Sequence, residues 1–286
     1  MKKTFATVLA VFAFALVFTS CTKEGQYMPS KKISEIVHTS SYKTLTGLEI
    51  SNTEREVWTW NGKLLSYIDY YDANGDRTNT SLFRYDDQNR IDEINYGTST
   101  AKYDYDNGLL DEIEVINDNG TLRGKFEFEH KGNKITAIDI VTSGGKSMEA
   151  LPFNPLRFVL PENAAEKVME CAAAKGTIRV ILTWTGNNVT TIEGSGMYAF
   201  NYQYKYDDKT NPFKGLIDMS ENVDLVLFSE NNIIHEEITI SGSTDITDYS
   251  YVYDGMYPVK REWETKGYSP MEMFEYTIKH VVEYKY

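Results

Sequence analysis

Four histidines (His38, His130, His235 and His280) are the side chains best suited to metal or proton chemistry, and they lie far apart. None has a ligand-spaced neighbour such as His-x-x-x-His, which argues against a structural or catalytic zinc. The paired carboxylates Asp86-Asp87, Asp207-Asp208 and Glu236-Glu237 sit in turn-like or alternating charged stretches. They read as solvated or turn-forming groups rather than acid–base pairs. The run Asp72-Ala73-Asn74-Gly75-Asp76 begins like a calcium loop but lacks the bidentate Glu downstream. Neither Gly-x-Ser-x-Gly nor a phosphate-cradling glycine loop occurs. Cys171, inside an Ala-rich run, reads as a small packed residue. With no convergent set to name, the chain is expected to be non-catalytic, with no metal and no cofactor.

What remains is aromatic surface. Tyr257, Trp263 and Tyr268 fall in a stretch that reads as loops, from Met256-Tyr257-Pro258 to Tyr268-Ser269-Pro270. Flat aromatics in loops stack on sugar faces or grip a protein partner; the alternative is that they are half-buried hairpin flanks. These three are the candidate ligand-binding residues.

The elements that would carry such residues are strands. The 286 residues include 29 Lys and Arg against 42 Asp and Glu, a formal net charge of −13. That balance offers no electrostatic case for nucleic acid or anionic lipid. Aromatics at 13% exclude disorder, and 7 Pro with 2 Cys exclude collagen-like and disulfide-scaffold classes. Along the chain an aromatic stretch, a turn of Asp, Asn and Gly, and an aliphatic stretch recur. Trp58-Thr59-Trp60-Asn61-Gly62, Tyr103-Asp104-Tyr105-Asp106-Asn107-Gly108 and Leu182-Thr183-Trp184-Thr185-Gly186 are examples. In the first four copies the last aromatics (Trp60, Tyr85, Tyr105, Phe128) recur at roughly 20–25-residue intervals. Alternation puts aromatics on one face of each strand and charges on the other, and the turns suit tight hairpins. After each turn two aliphatic residues stand three apart: Leu65/Ile68, Ile91/Ile94, Leu110/Ile113, Ile135/Ile138 and Val189/Ile192. An odd spacing cannot keep both on one face of a regular strand, so a bulge or turn flank is expected at the first. Single hairpins are marginal, so they must join edge to edge.

The fold expected is therefore all-β and mainly antiparallel, a meander of hairpins forming a curled sheet or barrel, with one inserted α-helix. That helix, Glu162 to Gly176, lies in an insertion at about 143–176 and turns Ala165, Val168, Met169 and Ala172 to one side. It reads as a plug or cap for one barrel end. From Phe274 to Tyr286 every even position is Phe, Tyr, Ile, His or Val. The rest of the chain sets Asp, Glu and Lys opposite its Tyr stripe, so a soluble barrel with Tyr inward is favoured over a membrane-spanning one.

At the N-terminus, Lys2-Lys3 precede an apolar run from Phe5 to Phe18, then Thr19-Ser20-Cys21. This is the pattern of a secretory signal, its apolar run too short for a comfortable transmembrane helix. Phe18-Thr19-Ser20-Cys21 resembles the lipobox of bacterial lipoproteins in its looser Bacteroides-type form. The resemblance implies removal of residues 1–20, lipidation of Cys21 and an outer-membrane location on the periplasmic or cell-surface face. Residues 21–34 then read as lipidated Cys and tether, and 35–286 as one hairpin-repeat domain. Tyr71-Asp72, Tyr85-Asp86, Tyr105-Asp106, Tyr206-Asp207 and Tyr253-Asp254 resemble the core of YD repeats in Rhs-type proteins. Several copies depart from it, with Trp-Asn, Trp-Thr or Phe-Glu in that place. Over residues 35–286 the chain is similar to a family of Bacteroides lipoproteins having a domain of unknown function with a porin-like fold. The resemblance implies a fold and a compartment and brings no catalytic residues. Two function classes survive: a non-catalytic binding lipoprotein for glycan or a protein partner, and a structural outer-membrane-associated protein with no small-molecule ligand.

Overall fold

The structure is a computed structural model that describes residues 24–142, 177–195, 200–218, 228–240, 242–269 and 274–286. Cys21, Cys171 and the expected helix lie outside the described residues. The strands in chain order are β1 (Glu35–Lys43), β2 (Glu49–Asn61), β3 (Leu64–Tyr71), β4 (Arg77–Tyr85), β5 (Ile91–Asn95) and β6 (Ser99–Asp106). Next come β7 (Leu109–Asn117), β8 (Leu122–Lys131), β9 (Lys134–Thr142), β10 (Thr177–Thr185), β11 (Asn188–Ser195) and β12 (Phe200–Thr210). The last are β13 (Asn231–Ile240), β14 (Ser243–Asp248), β15 (Ser250–Asp254), β16 (Tyr257–Ser269) and β17 (Phe274–Lys285).

All 17 strands of the described residues belong to one antiparallel sheet that curls into a nearly closed barrel. β1 lies between β17 and β2, so the last strand meets the first. Tyr249 alone separates β14, paired with β13, from β15, paired with β16. Its N–H donates to the Ile234 carbonyl at 3.0 Å, holding the bend where the chain changes neighbours.

The bulge expected from the spacing of three is present in each copy. In β2–β3, Trp60 faces Leu65 while Thr59 faces Tyr67, leaving Ser66 as the extra residue. The same shift follows Tyr85, Tyr105, Trp184 and Tyr206. One inserted residue restores parity, so Leu65 and Ile68 are both fully buried on the inner face, as are Ile91 and Ile94. Asn107 and Gly108, with φ of 51° and 83°, supply the left-handed pair that a tight two-residue hairpin needs. In the fourth copy the residue in register with Ile135 is His130, not Phe128, which lies two places deeper. The sequence pattern points to Phe128 because His carries less of the aromatic signal.

An aromatic just before each turn clasps the neighbouring hairpin. Tyr85 Oη donates to the Leu65 carbonyl at 2.8 Å and Tyr105 Oη to that of Ile91 at 2.7 Å. Trp60 Nε1 donates to Ile33 O at 2.7 Å and Trp184 Nε1 to Ile135 O at 2.6 Å. Three of these acceptors, Leu65, Ile91 and Ile135, are residues that open an aliphatic pair. His130 breaks the series: its Nε2 lies 3.0 Å from Glu24 Oε2, which also accepts from the Leu110 N–H at 2.8 Å.

Residues 24–34, expected as a tether, are instead fixed inside this end of the barrel as far as they are described. Ile91 N–H donates to Gly25 O at 3.0 Å, and Tyr27, fully buried, donates to Pro212 O at 2.9 Å. The 211–218 loop enters beside them: Tyr103 Oη donates to Ile217 O at 2.7 Å and Tyr96 Oη to Asp218 at 3.0 Å. Phe213, Leu216 and Ile217 are buried with the strand aromatics. Apolar Tyr27 and Ile33, too sparse to show any period, gain this burial only because the barrel surrounds them. The rim with these segments, at the turns after Asn61, Tyr85, Asp106 and Lys131, is called the near rim; the opposite one, with the 44–48 and 72–76 turns, the far rim.

The outer wall is charged. Lys125 pairs with Glu112 at 2.5 Å and Glu127 at 2.9 Å across β7 and β8. Arg179 on β10 reaches Asp139 at 2.5 Å and Glu129 at 2.6 Å, and Lys260 and Lys279 share Glu262.

Candidate functional site

The second aliphatic of each pair sets the inner layer, with Ile68, Ile94, Ile113, Ile138 and Ile192 all fully buried. In the next two hairpins that position is Glu236 and Arg261. Both are buried, at 1% and 4% exposure. The expectation that Glu236 is solvated is therefore corrected: the bulge at Ile234 turns it inward, opposite Tyr204, while Glu237 faces out opposite Ile246. Burying two ionic groups where five copies use Ile costs desolvation, which marks this sector as something other than packing.

Around these charges the inner face is aromatic and polar. The Arg261 guanidinium lies 4.2 Å from the Trp263 ring centroid and 5.6 Å from that of Tyr249. Tyr251 lies directly opposite it in register on β15 and donates to the Ile233 carbonyl at 2.9 Å. Tyr202 and Tyr204 are buried beside Glu236, and their hydroxyls are enclosed without a hydrogen-bond partner among the described residues. Burial, and then the Glu236 charge, push both phenols well above their ordinary range.

Trp263 also stacks with His280 at 4.7 Å and 6°, and with His38 at 5.6 Å. His38 Nε2 and His280 Nδ1 are 3.3 Å apart, and Thr265 Oγ1 is 2.9 Å from His280 Nε2. Burial, then the neighbouring His38 and Arg261, lower the His280 pKa to about 4, so this ring is neutral at pH 7. Toward the far rim the same inner face carries Tyr42 against Tyr276 at 4.9 Å, with Asn52 and Glu54 exposed. Glu54 is the register partner of His38. The result is a polar column along β16, β17, β1 and β2, buried at Arg261 and reaching solvent at the far rim. Its chemistry is stacking and hydrogen bonding. No group of three or more His, Cys, Asp or Glu among the described residues is placed to hold a metal ion.

The expected ligand-binding trio is not a loop cluster. Tyr257, Trp263 and Tyr268 all lie on β16, where antiparallel pairing with β15 around Pro258 and with β17 from Lys260 to Ser269 overrides the loop-like Pro and Gly flanks. Tyr257 is at the near rim, edge-on to Tyr286, and Tyr268 pairs with Glu275 near the other end. Eleven residues of strand separate them, about 36 Å at the usual rise, so one small ligand cannot touch both. Trp263 does sit in the polar column, but it is buried, with His280 and Arg261 packed against its ring. His38 and His280 were missed because their proximity is a product of the β1–β17 pairing, across 242 positions of chain. A signal for Arg261 and Glu236 did exist: each stands three residues after the bulge-opening Pro258 or Ile233.

Asp72 is a turn former, accepting from the N–H groups of Asn74 and Asp76 at 2.9 Å, and Asp86 does the same for Gln88 and Arg90. In both, these hydrogen bonds help hold the carboxyl below its usual range.

No protein family's model and no curated protein matches the chain. Among solved structures it is similar to a porin-like protein from Bacteroides uniformis, with a TM-score of 0.52 and 13% identity, over 90% of this chain and 98% of that one. A porin-like protein from Bacteroides vulgatus is more distant, at a TM-score of 0.45 and 11% identity over 89% and 98% of the two chains. The first likeness is one of fold.

Proposed function

We propose that the protein is a non-catalytic lipoprotein of the bacterial envelope, anchored through Cys21, whose barrel stands on the membrane rather than across it and binds a partner from its far-rim side. The observation that carries this reading is the charged outer wall. Lys125, Arg179, Lys260 and Lys279 are held there in ion pairs within their strands. A Lys or Arg facing lipid at mid-bilayer costs about 2–4 kcal/mol, and the apolar band that spanning barrels need is replaced here by carboxylates and cations. The interior supports the same view, since residues 24–34 and 211–218 occupy the near rim. In this reading the described segments close the near rim and the porin-like fold does not serve as a channel. An outer-membrane location rests on the lipobox-like Cys21 and on the resemblance to Bacteroides proteins.

The polar column is the binding surface in this reading, and a glycan suits its mix of rings and hydrogen-bonding groups. The alternative, a structural protein that docks on another envelope component, draws on Leu45, Leu48 and Ile50, which are 64%, 63% and 40% exposed at the β1–β2 tip. The test is to prepare residues 22–286 without detergent and titrate polysaccharides against Trp fluorescence. A folded soluble monomer whose emission responds to one glycan supports the first reading. A requirement for detergent, or channel conductance in planar bilayers, would overturn the non-spanning barrel. Silence toward glycans with co-purification of an envelope protein, lost in Leu45→Asp/Leu48→Asp, would favour the alternative.

A further inference from the structure

We infer that the near rim is the face that rests on the bilayer, with the far rim and the mouth of the polar column directed away from it. This rests on the lipoprotein reading of Cys21 and extends it to an orientation.

Glu24 is fixed at the near rim by the Leu110 N–H and His130 Nε2, and Gly25 by the Ile91 N–H. Tyr105 closes over Gly25 so tightly that a Cβ there would lie 2.1 Å from its hydroxyl. Only Thr22 and Lys23 separate Glu24 from Cys21. Three peptide steps reach at most about 11 Å, fully extended. The far rim is out of that range: an eight-residue strand such as β6, tilted as barrel strands are, spans roughly 20 Å along the axis. Acyl chains on Cys21 therefore enter lipid beside the near rim. Charge does not decide the matter, because that rim carries Lys63 and Lys131 along with Asp87 and Asp106, all exposed. The short connection does.

A free tether of fourteen residues would have left the barrel free to tumble over the membrane. Docking of residues 24–34 removes that freedom, and it points the end of the column with half-buried Tyr42 and Tyr276 and exposed Asn52 and Glu54 toward solvent and incoming partners.

The test uses the full-length lipidated protein carrying Cys171→Ser, reconstituted in vesicles that contain a nickel-chelating headgroup lipid. A nitroxide is placed at Asn133→Cys in the β8–β9 turn or at Ala73→Cys in the β3–β4 turn, both exposed sites. Acylated Cys21 is a thioether and does not take the label. Nickel should relax the label at position 133 several-fold more strongly than the label at 73. Equal relaxation, or the reverse order, overturns the orientation. A mass spectrum of the N-terminal peptide separates the two levels: unmodified Cys21 overturns the lipoprotein reading itself and the orientation with it, whereas acylated Cys21 with equal relaxation overturns the orientation alone.

Discussion

Alkali should unfold this barrel in one step, because its core holds phenols that the fold accepts only in neutral form. Tyr27, Tyr103, Tyr202 and Tyr204 are all at or below 5% exposure, and burial raises each pKa well above the ordinary value. A raised folded pKa gives stability that is whole below about pH 10, where the unfolded chain ionises, and is lost as pH climbs beyond it. Each such group costs about 1.4 kcal/mol per pH unit, so four together remove roughly 5 kcal/mol per unit. A domain stable by about 5–15 kcal/mol is then exhausted between about pH 11 and 13. The assay follows tyrosinate absorbance and far-ultraviolet circular dichroism in one pH titration. The buried phenols should ionise in a single step that coincides with the loss of strand signal. Two substitutions sharpen it. Tyr202→Phe removes an enclosed hydroxyl that has no hydrogen-bond partner among the described residues, so it should leave neutral-pH stability unchanged or raise it by up to about 1 kcal/mol, and move the alkaline midpoint upward. Tyr103→Phe loses the donation to Ile217 O and should cost about 1–2 kcal/mol at neutral pH. Gradual ionisation with the strand signal intact would refute the argument, since phenols that titrate freely are not in a packed core.

Two further outcomes follow from named contacts. Gly25→Ala places a Cβ against Tyr105 at a φ of 79°, and urea unfolding should show a loss of about 2–4 kcal/mol; unchanged stability would mean that residues 24–34 do not dock. His280, with a pKa lowered to about 4, gives stability that is present above about pH 6.5 and lost as pH falls toward 4, a change on the order of 2 kcal/mol after allowance for its partial exposure. In His280→Gln that acid-side slope should flatten; an unaltered slope would assign the acid sensitivity to other groups.

The hairpins were legible in the residues because everything that makes them is local. Alternation of aromatic and charged residues sets the face, Asn107-Gly108 and its counterparts set the turn, and the spacing of three calls for a bulge. Local chemistry also carried the inward direction of the last strand, where Val282 and Tyr284 are buried. Tertiary structure alone decided what crosses the barrel. A meander does not say which strand meets β1, so the His38–His280 contact had no trace in the spacing of histidines. Nor does a polar-looking segment such as Glu24 to Ser34 announce that a curled sheet will enclose it, since its burial is supplied by surfaces from β2 and β5 to β8 and from the 211–218 loop. Glu236 and Arg261 stand between the two cases. A bulge shifts parity by one, so residues that look outward on a regular strand face inward here, and only the register shows which side of the wall each charge occupies.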